Sequence, residues 1–231
     1  MVKSFRFLFN FAGINLAAIF SFIAAVIVGC YAAGVPGSAF RGSLFATYYT
    51  MLPTFILLCL FLYAMSLCTT NLNLGLSMGA RRKDFFWAVQ GIILFYTAVG
   101  WALEWLLSVL PAAAHWTVRD QWTALAAYRD RPWIYPLLCI TLLVLGCLLG
   151  PLMVRHRVLA AIIMALSTFI IMGSTMFMLL SAQTNITVFL TGDGWRWLFT
   201  TLPRILPIIL SALAAGGEFL MWRTIQNYTV R

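Results

Sequence analysis

Long intervals without a single charge restrict this chain more than any other feature. No Asp, Glu, Lys or Arg lies between Arg6 and Arg41, Arg41 and Arg81, Arg131 and Arg155, or Arg157 and Asp193. Each interval can supply the roughly 20 apolar residues that a membrane-crossing helix requires. Hydrophobic residues make up 63% of the 231 positions and charged residues 9%, far from the balance of a soluble domain. Barrel strands alternate apolar and polar residues in short segments, which does not fit these continuous runs. The reading is an all-α polytopic membrane protein with spans at about 12–33, 44–68, 86–110, 134–154, 158–182 and 200–222. Residues 12–231 then form one transmembrane domain. The sixth span is interrupted by Pro203 and Pro207, and Pro53 predicts a kink in the second.

Basic residues orient the spans. With the N-terminus inside, Lys3, Arg6, Arg81, Arg82, Lys83, Arg155, Arg157, Arg223 and Arg231 are cytoplasmic, and Arg41, Arg119, Arg129, Arg131, Arg196 and Arg204 lie outside. Nine against six is a positive-inside bias that puts both termini in the cytoplasm. The formal charge of +9 follows from topology and anionic membrane lipid, so no nucleic-acid partner is inferred. Trp105, Trp116, Trp122, Trp133, Trp195 and Trp197 gather toward the outer boundary. Segments 112–132 and 183–199 are therefore expected to be outer loops resting on the interface.

Five cysteines sit within or beside the spans without metal-site spacing, and read as small apolar residues. Ile27-Val-Gly-Cys30 looks like a lipoprotein cleavage site, yet its apolar run is long for a signal peptide and more spans follow. Residues 1–11 carry Phe5, Leu8 and Phe9 at helical spacing opposite Lys3, Arg6 and Asn10. That pattern suits an amphipathic interfacial helix, or equally a simple inside anchor.

The sizeable polar segment inside is the loop 69–86. Its first half alternates, Leu72, Leu74, Leu76 and Met78 against Asn71, Asn73, Gly75 and Ser77. Alternation alone suggests a strand, but an isolated strand at a membrane surface leaves its backbone unpaired, which favours a short helix or compact turn. An ordinary topology-fixing basic loop is the plainer alternative.

The run Ser77-Met-Gly79-Ala-Arg81-Arg82-Lys83-Asp84-Phe85-Phe86, following a second span, resembles the cytoplasmic loop of type-2 ATP-binding-cassette (ABC) exporter permeases, in particular the small bacterial six-span members. The resemblance implies that Ser77, Gly79, Arg81, Arg82, Lys83, Asp84, Phe85 and Phe86 belong to a coupling helix docking on a nucleotide-binding subunit. It further implies a multi-pass protein of the bacterial plasma membrane working as two copies, or beside a related permease. ATP and Mg would be bound by the partner ATPase, with no cofactor on this chain. Val188 to Thr200 resembles in position the short re-entrant element between the fifth and sixth spans of such exporters.

Within the spans, Glu104 is the most unusual ionisable residue. Even lenient scales charge about 2.5–3.5 kcal/mol for a centrally placed acid. Trp101, Glu104, Trp105 and Ser108 are expected on one helical face, either opening on a substrate pathway or pairing Glu104 with Arg204 at similar depth. Glu218, after Gly216-Gly217, could meet Arg223, Arg155 or a loop arginine. Gly146-Cys-Leu-Leu-Gly150 is a small-xxx-small pattern for packing within the chain or between copies. No phosphate-binding Gly-x-x-x-x-Gly-Lys-Ser/Thr run and no paired-histidine spacing occurs. The expected function is a non-catalytic permease subunit exporting an amphipathic peptide, lipid or drug, the alternatives being a membrane scaffold or sensor, or an intramembrane enzyme.

Overall fold

The computed structural model describes residues 2–32, 39–77, 79–113, 132–182 and 193–227, with side chains over a narrower set. These form six helices: α1 (Val2–Ala32), α2 (Ala39–Ser77), α3 (Arg82–Ala113), α4 (Ile134–Arg155), α5 (Arg157–Ala182) and α6 (Asp193–Gln226). Each holds a window long and apolar enough to cross a membrane: Arg6–Val28, Met51–Ser77, Arg82–Leu110, Ile134–Met153, Arg157–Ser174 and Ile205–Gln226. No strand occurs among the described residues.

α4 is the central element. In its apolar window 78% of residues are buried, against 22% in those of α1, α5 and α6, as expected of a helix apolar all round. α2 and α6 flank it most extensively, α3 and α5 also pack on it, and α1 lies against α2 and α3. Glycines set the closest approach. A Cβ on Gly146 would stand 2.7 Å from the Phe61 carbonyl oxygen, and one on Gly150 2.9 Å from that of Met65. The small-xxx-small pattern thus serves packing of α4 on α2 within the chain.

These contacts fix direction. Gly146 meets Phe61 and Ala64 while Gly150 meets Met65 and Thr69, so α2 and α4 run parallel. Thr141 reaches the Leu210 carbonyl at 3.3 Å and Val144 touches Gly217, so α6 runs parallel to α4. The ends of α2, α4 and α6 therefore share one end of the bundle with the start of α3, here termed the basic end.

Several sequence expectations change. No break separates residues 1–11 from the first span, because α1 is one helix from Val2. Its buried stripe, Leu8, Ala12, Leu16, Ile19 and Ile23, crosses the expected boundary without a change of face. Pro203 and Pro207 do not end the sixth helix, which runs from Asp193 through both. Residues 193–199, expected in a loop and a re-entrant element, are helical in its first turns. α2 likewise continues through Pro53, where the Tyr135 hydroxyl donates to the Pro53 carbonyl at 3.0 Å. The outer segment 114–131 and residues 183–192 lie outside the described residues. α4 and α5 join through His156 alone, whose N–H donates to the Leu152 carbonyl at 2.8 Å.

Candidate functional site

The tract 69–86 is neither a strand nor a separate short helix. α2 continues to Ser77 and α3 begins at Arg82, leaving a compact turn. The turn closes with the Ala80 N–H on the Gly75 carbonyl and the Gly79 N–H on the Leu76 carbonyl, both at 3.0 Å. These are the paired bonds of a Schellman cap, and Gly79 supplies the left-handed residue at φ +84° that the cap demands. Helical burial explains the discarded strand reading: Cys68, Asn71, Leu72 and Gly75 face inward while Thr70, Leu74 and Ser77 face outward.

The eight residues assigned to coupling divide by role. Arg81, Arg82 and Lys83 are exposed. Phe85 is fully buried, its ring 3.1 Å from where a Cβ on Gly75 would stand. Phe86 is buried against Trp222, with ring centroids 4.7 Å apart in edge-on geometry. The Ser77 hydroxyl donates to the Leu74 carbonyl at 2.8 Å and stays within its own helix. Asp84 sits in the first turn of α3, where an acid meets the positive end of the helix dipole. Two aromatic anchors thus seat a turn that presents three cations.

Sequence reasoning missed how this turn is tied to α6. Arg82 Nη1 donates to the Gln226 carbonyl at 2.6 Å, and Gln90 Nε2 donates to Glu218 Oε2 at 2.5 Å. Arg82, Phe86 and Gln90 are spaced by four along α3, and Gln226, Trp222 and Glu218 by four back along α6. The two helices therefore meet antiparallel in one register over about two turns. Glu218 finds a partner in Gln90; of the arginines expected for it, the Arg155 side chain lies outside the described residues. A lone Gln within an apolar span was the available signal, but the register of two non-consecutive helices is not written in either one.

At the far end, Glu104 is 4% exposed and its Oε1 has no hydrogen-bond partner among the described residues. It stands about 33 Å along α3 from Arg82 at roughly 1.5 Å per residue, close to the opposite boundary of a hydrocarbon layer about 30 Å thick. Leu103 and Leu107 are buried beside it, and one turn earlier Gly100 packs against Leu60 and Cys139. Trp101 and Trp105 do not share its face. They are 46% and 60% exposed, because they lie roughly 60–100° round the helix from it. The expected partner Arg204 lies on α6, with its side chain outside the described residues. The Tyr49 hydroxyl, in reach of this region, donates to the Leu107 carbonyl at 2.7 Å. Trp101, Trp105 and Trp133 are exposed at the far end and Trp87 at the basic end, as aromatic belts at two interfaces would be.

Among the described residues no group of three or more His, Cys, Asp or Glu is placed to hold a metal ion. Fold and surface define a class, the six-helix multi-pass membrane protein without a described extramembrane domain. Comparison with family models, curated proteins and solved structures finds no match.

Proposed function

We propose that this chain is the membrane-spanning permease subunit of a type-2 ABC exporter. One observation carries the reading: a capped turn at the basic end projects Arg81, Arg82 and Lys83, while Phe85 and Phe86 root it in the bundle. A flexible basic loop can fix topology, but it transmits little displacement. A turn with buried aromatic roots moves its helices when it is pushed, which is what docking on an ATPase requires. The sequence likeness of residues 77–86 and the six apolar helices point the same way.

In this reading two permease chains, identical or related, pair with two cytoplasmic ATPase subunits in a bacterial plasma membrane. ATP and Mg bind the partners, and this chain catalyses nothing. Closure of the ATPases displaces the turn and shifts the bundle between states that bind an amphipathic substrate differently, which suffices to couple transport to ATP. Both termini are cytoplasmic in this arrangement.

The test is a mild-detergent pull-down of tagged chain from native membranes, beside a variant with Arg81, Arg82 and Lys83 changed to alanine. The reading predicts a stoichiometric ATPase with the wild type and its loss with the variant at equal membrane yield. A chain recovered alone in several detergents contradicts it.

A further inference from the structure

The turn has a route to α2 and α3 by covalent continuity, yet its side-chain contacts favour another element. Arg82 donates to the last carbonyl of α6, Phe86 packs edge-on against Trp222, and Gln90 bonds Glu218 one turn deeper. α6 is one of the most exposed helices of the bundle and leans mainly on α4. Where it meets α4, the Val144 side chain sits in the space left by Gly217, 2.7 Å from where a Cβ would stand. At the basic end a charge-assisted hydrogen bond and an edge-on aromatic pair fix the register of α6 on α3. α6 is therefore packed along α4 and keyed in register to α3 at the basic end.

A second observation concerns the same joint. Gln226 Nε2 is buried and has no acceptor among the described residues. A buried donor left unmet raises the free energy of the arrangement that holds it. That lowers the cost of moving the end of α6 to any position where the amide finds an acceptor.

We infer that α6 is the element through which the basic turn acts, and that Gln90, Glu218 and Trp222 are positioning residues that deliver displacement of the turn to it. This rests on the reading of the turn as an ATPase docking point. The Gln90–Glu218 bond keeps α3 and α6 in register while both move, and the Arg82 bond makes the basic-end tip of α6 follow the turn directly. Cutting the bond leaves docking intact and lets α6 lag.

The experiment compares the wild-type permease–ATPase complex with the double variant Q90L/E218L and the exchange Q90E/E218Q, reading partner recovery, ATP hydrolysis and substrate moved per ATP. Q90L/E218L keeps the partner and its hydrolysis, but moves roughly tenfold less substrate per ATP, an ordinary size for coupling between sites. Q90E/E218Q preserves an amide–carboxylate pair with the helices exchanged and restores transport per ATP, which a loss of folding or of acidity on α6 would not allow. Unchanged transport per ATP in Q90L/E218L, with the ATPase bound, overturns the role of α6 and spares the permease reading. Failure of Q90E/E218Q to restore coupling also overturns it. If the wild-type chain recovers no ATPase, the permease reading falls and takes this inference with it.

Discussion

At Gly146 and Gly150 the missing side chain is used as space, and the cost of filling it follows from the distances. G146A would press a methyl to 2.7 Å from the Phe61 carbonyl oxygen, a backbone atom that cannot swing aside. Overpacking of this kind costs about 1–3 kcal/mol, so the melting temperature in detergent should fall, while G216A, with nothing within 4 Å and a better helix former in place, should hold or raise it. Gly79 carries a different constraint. Its φ of +84° disfavours a residue with a Cβ by about 1–2 kcal/mol, and G79A should fray the turn. Partner binding should then weaken with Arg81, Arg82 and Lys83 all still present. Glu104 yields a third expectation. Since Oε1 accepts no bond among the described residues, E104Q should insert and melt as the wild type does. A marked fall in melting temperature in both E104Q and R204Q would instead identify the ion pair considered from the sequence.

Among elements, what the sequence revealed and what it hid have separate physical causes. Six helices were legible because a membrane span demands length without charge, and that demand is local. Their ends were less so. The stripe through Leu8, Ala12 and Leu16 runs straight across the boundary expected near residue 11. It looked like two elements because the charges cluster before it. At residues 71–78 a two-residue alternation coincided with the end of a helix, where polar residues tolerate either exposure. Glu104 was placed with Trp101 and Trp105 by spacing alone, yet the burial of Leu103 and Leu107 turns the acid toward the bundle and the indoles away. The Gln90–Glu218 bond was illegible for a further reason, since α3 and α6 are far apart in sequence and nothing local fixes their register. Interhelical hydrogen bonds in membranes average about 0.6 kcal/mol in double-mutant cycles. Q90L/E218L should accordingly fold with only a small loss of stability, and its effect should appear in coupling.

For the molecule as a whole, the distribution of polarity matters more than any single contact. α4 is buried nearly throughout, while α1, α5 and α6 each expose most of their apolar windows, so the bundle is built around one buried helix with apolar faces turned outward. The described charges sit mostly at the basic end, where Arg81, Arg82, Lys83, Arg157 and Arg223 are exposed. Such a surface suits either anionic lipid or an acidic groove on a partner. In the proposed reading the anchored turn favours the groove, because lipid needs no rigid presentation. The most direct measurement is site-specific photocrosslinking in native membranes from a photoreactive side chain placed at Lys83, followed by mass spectrometry of the adduct. The account predicts a cross-link to a chain bearing a phosphate-binding loop, with ATP altering its yield. Adducts with lipid alone, or with a protein that binds no nucleotide, would contradict it.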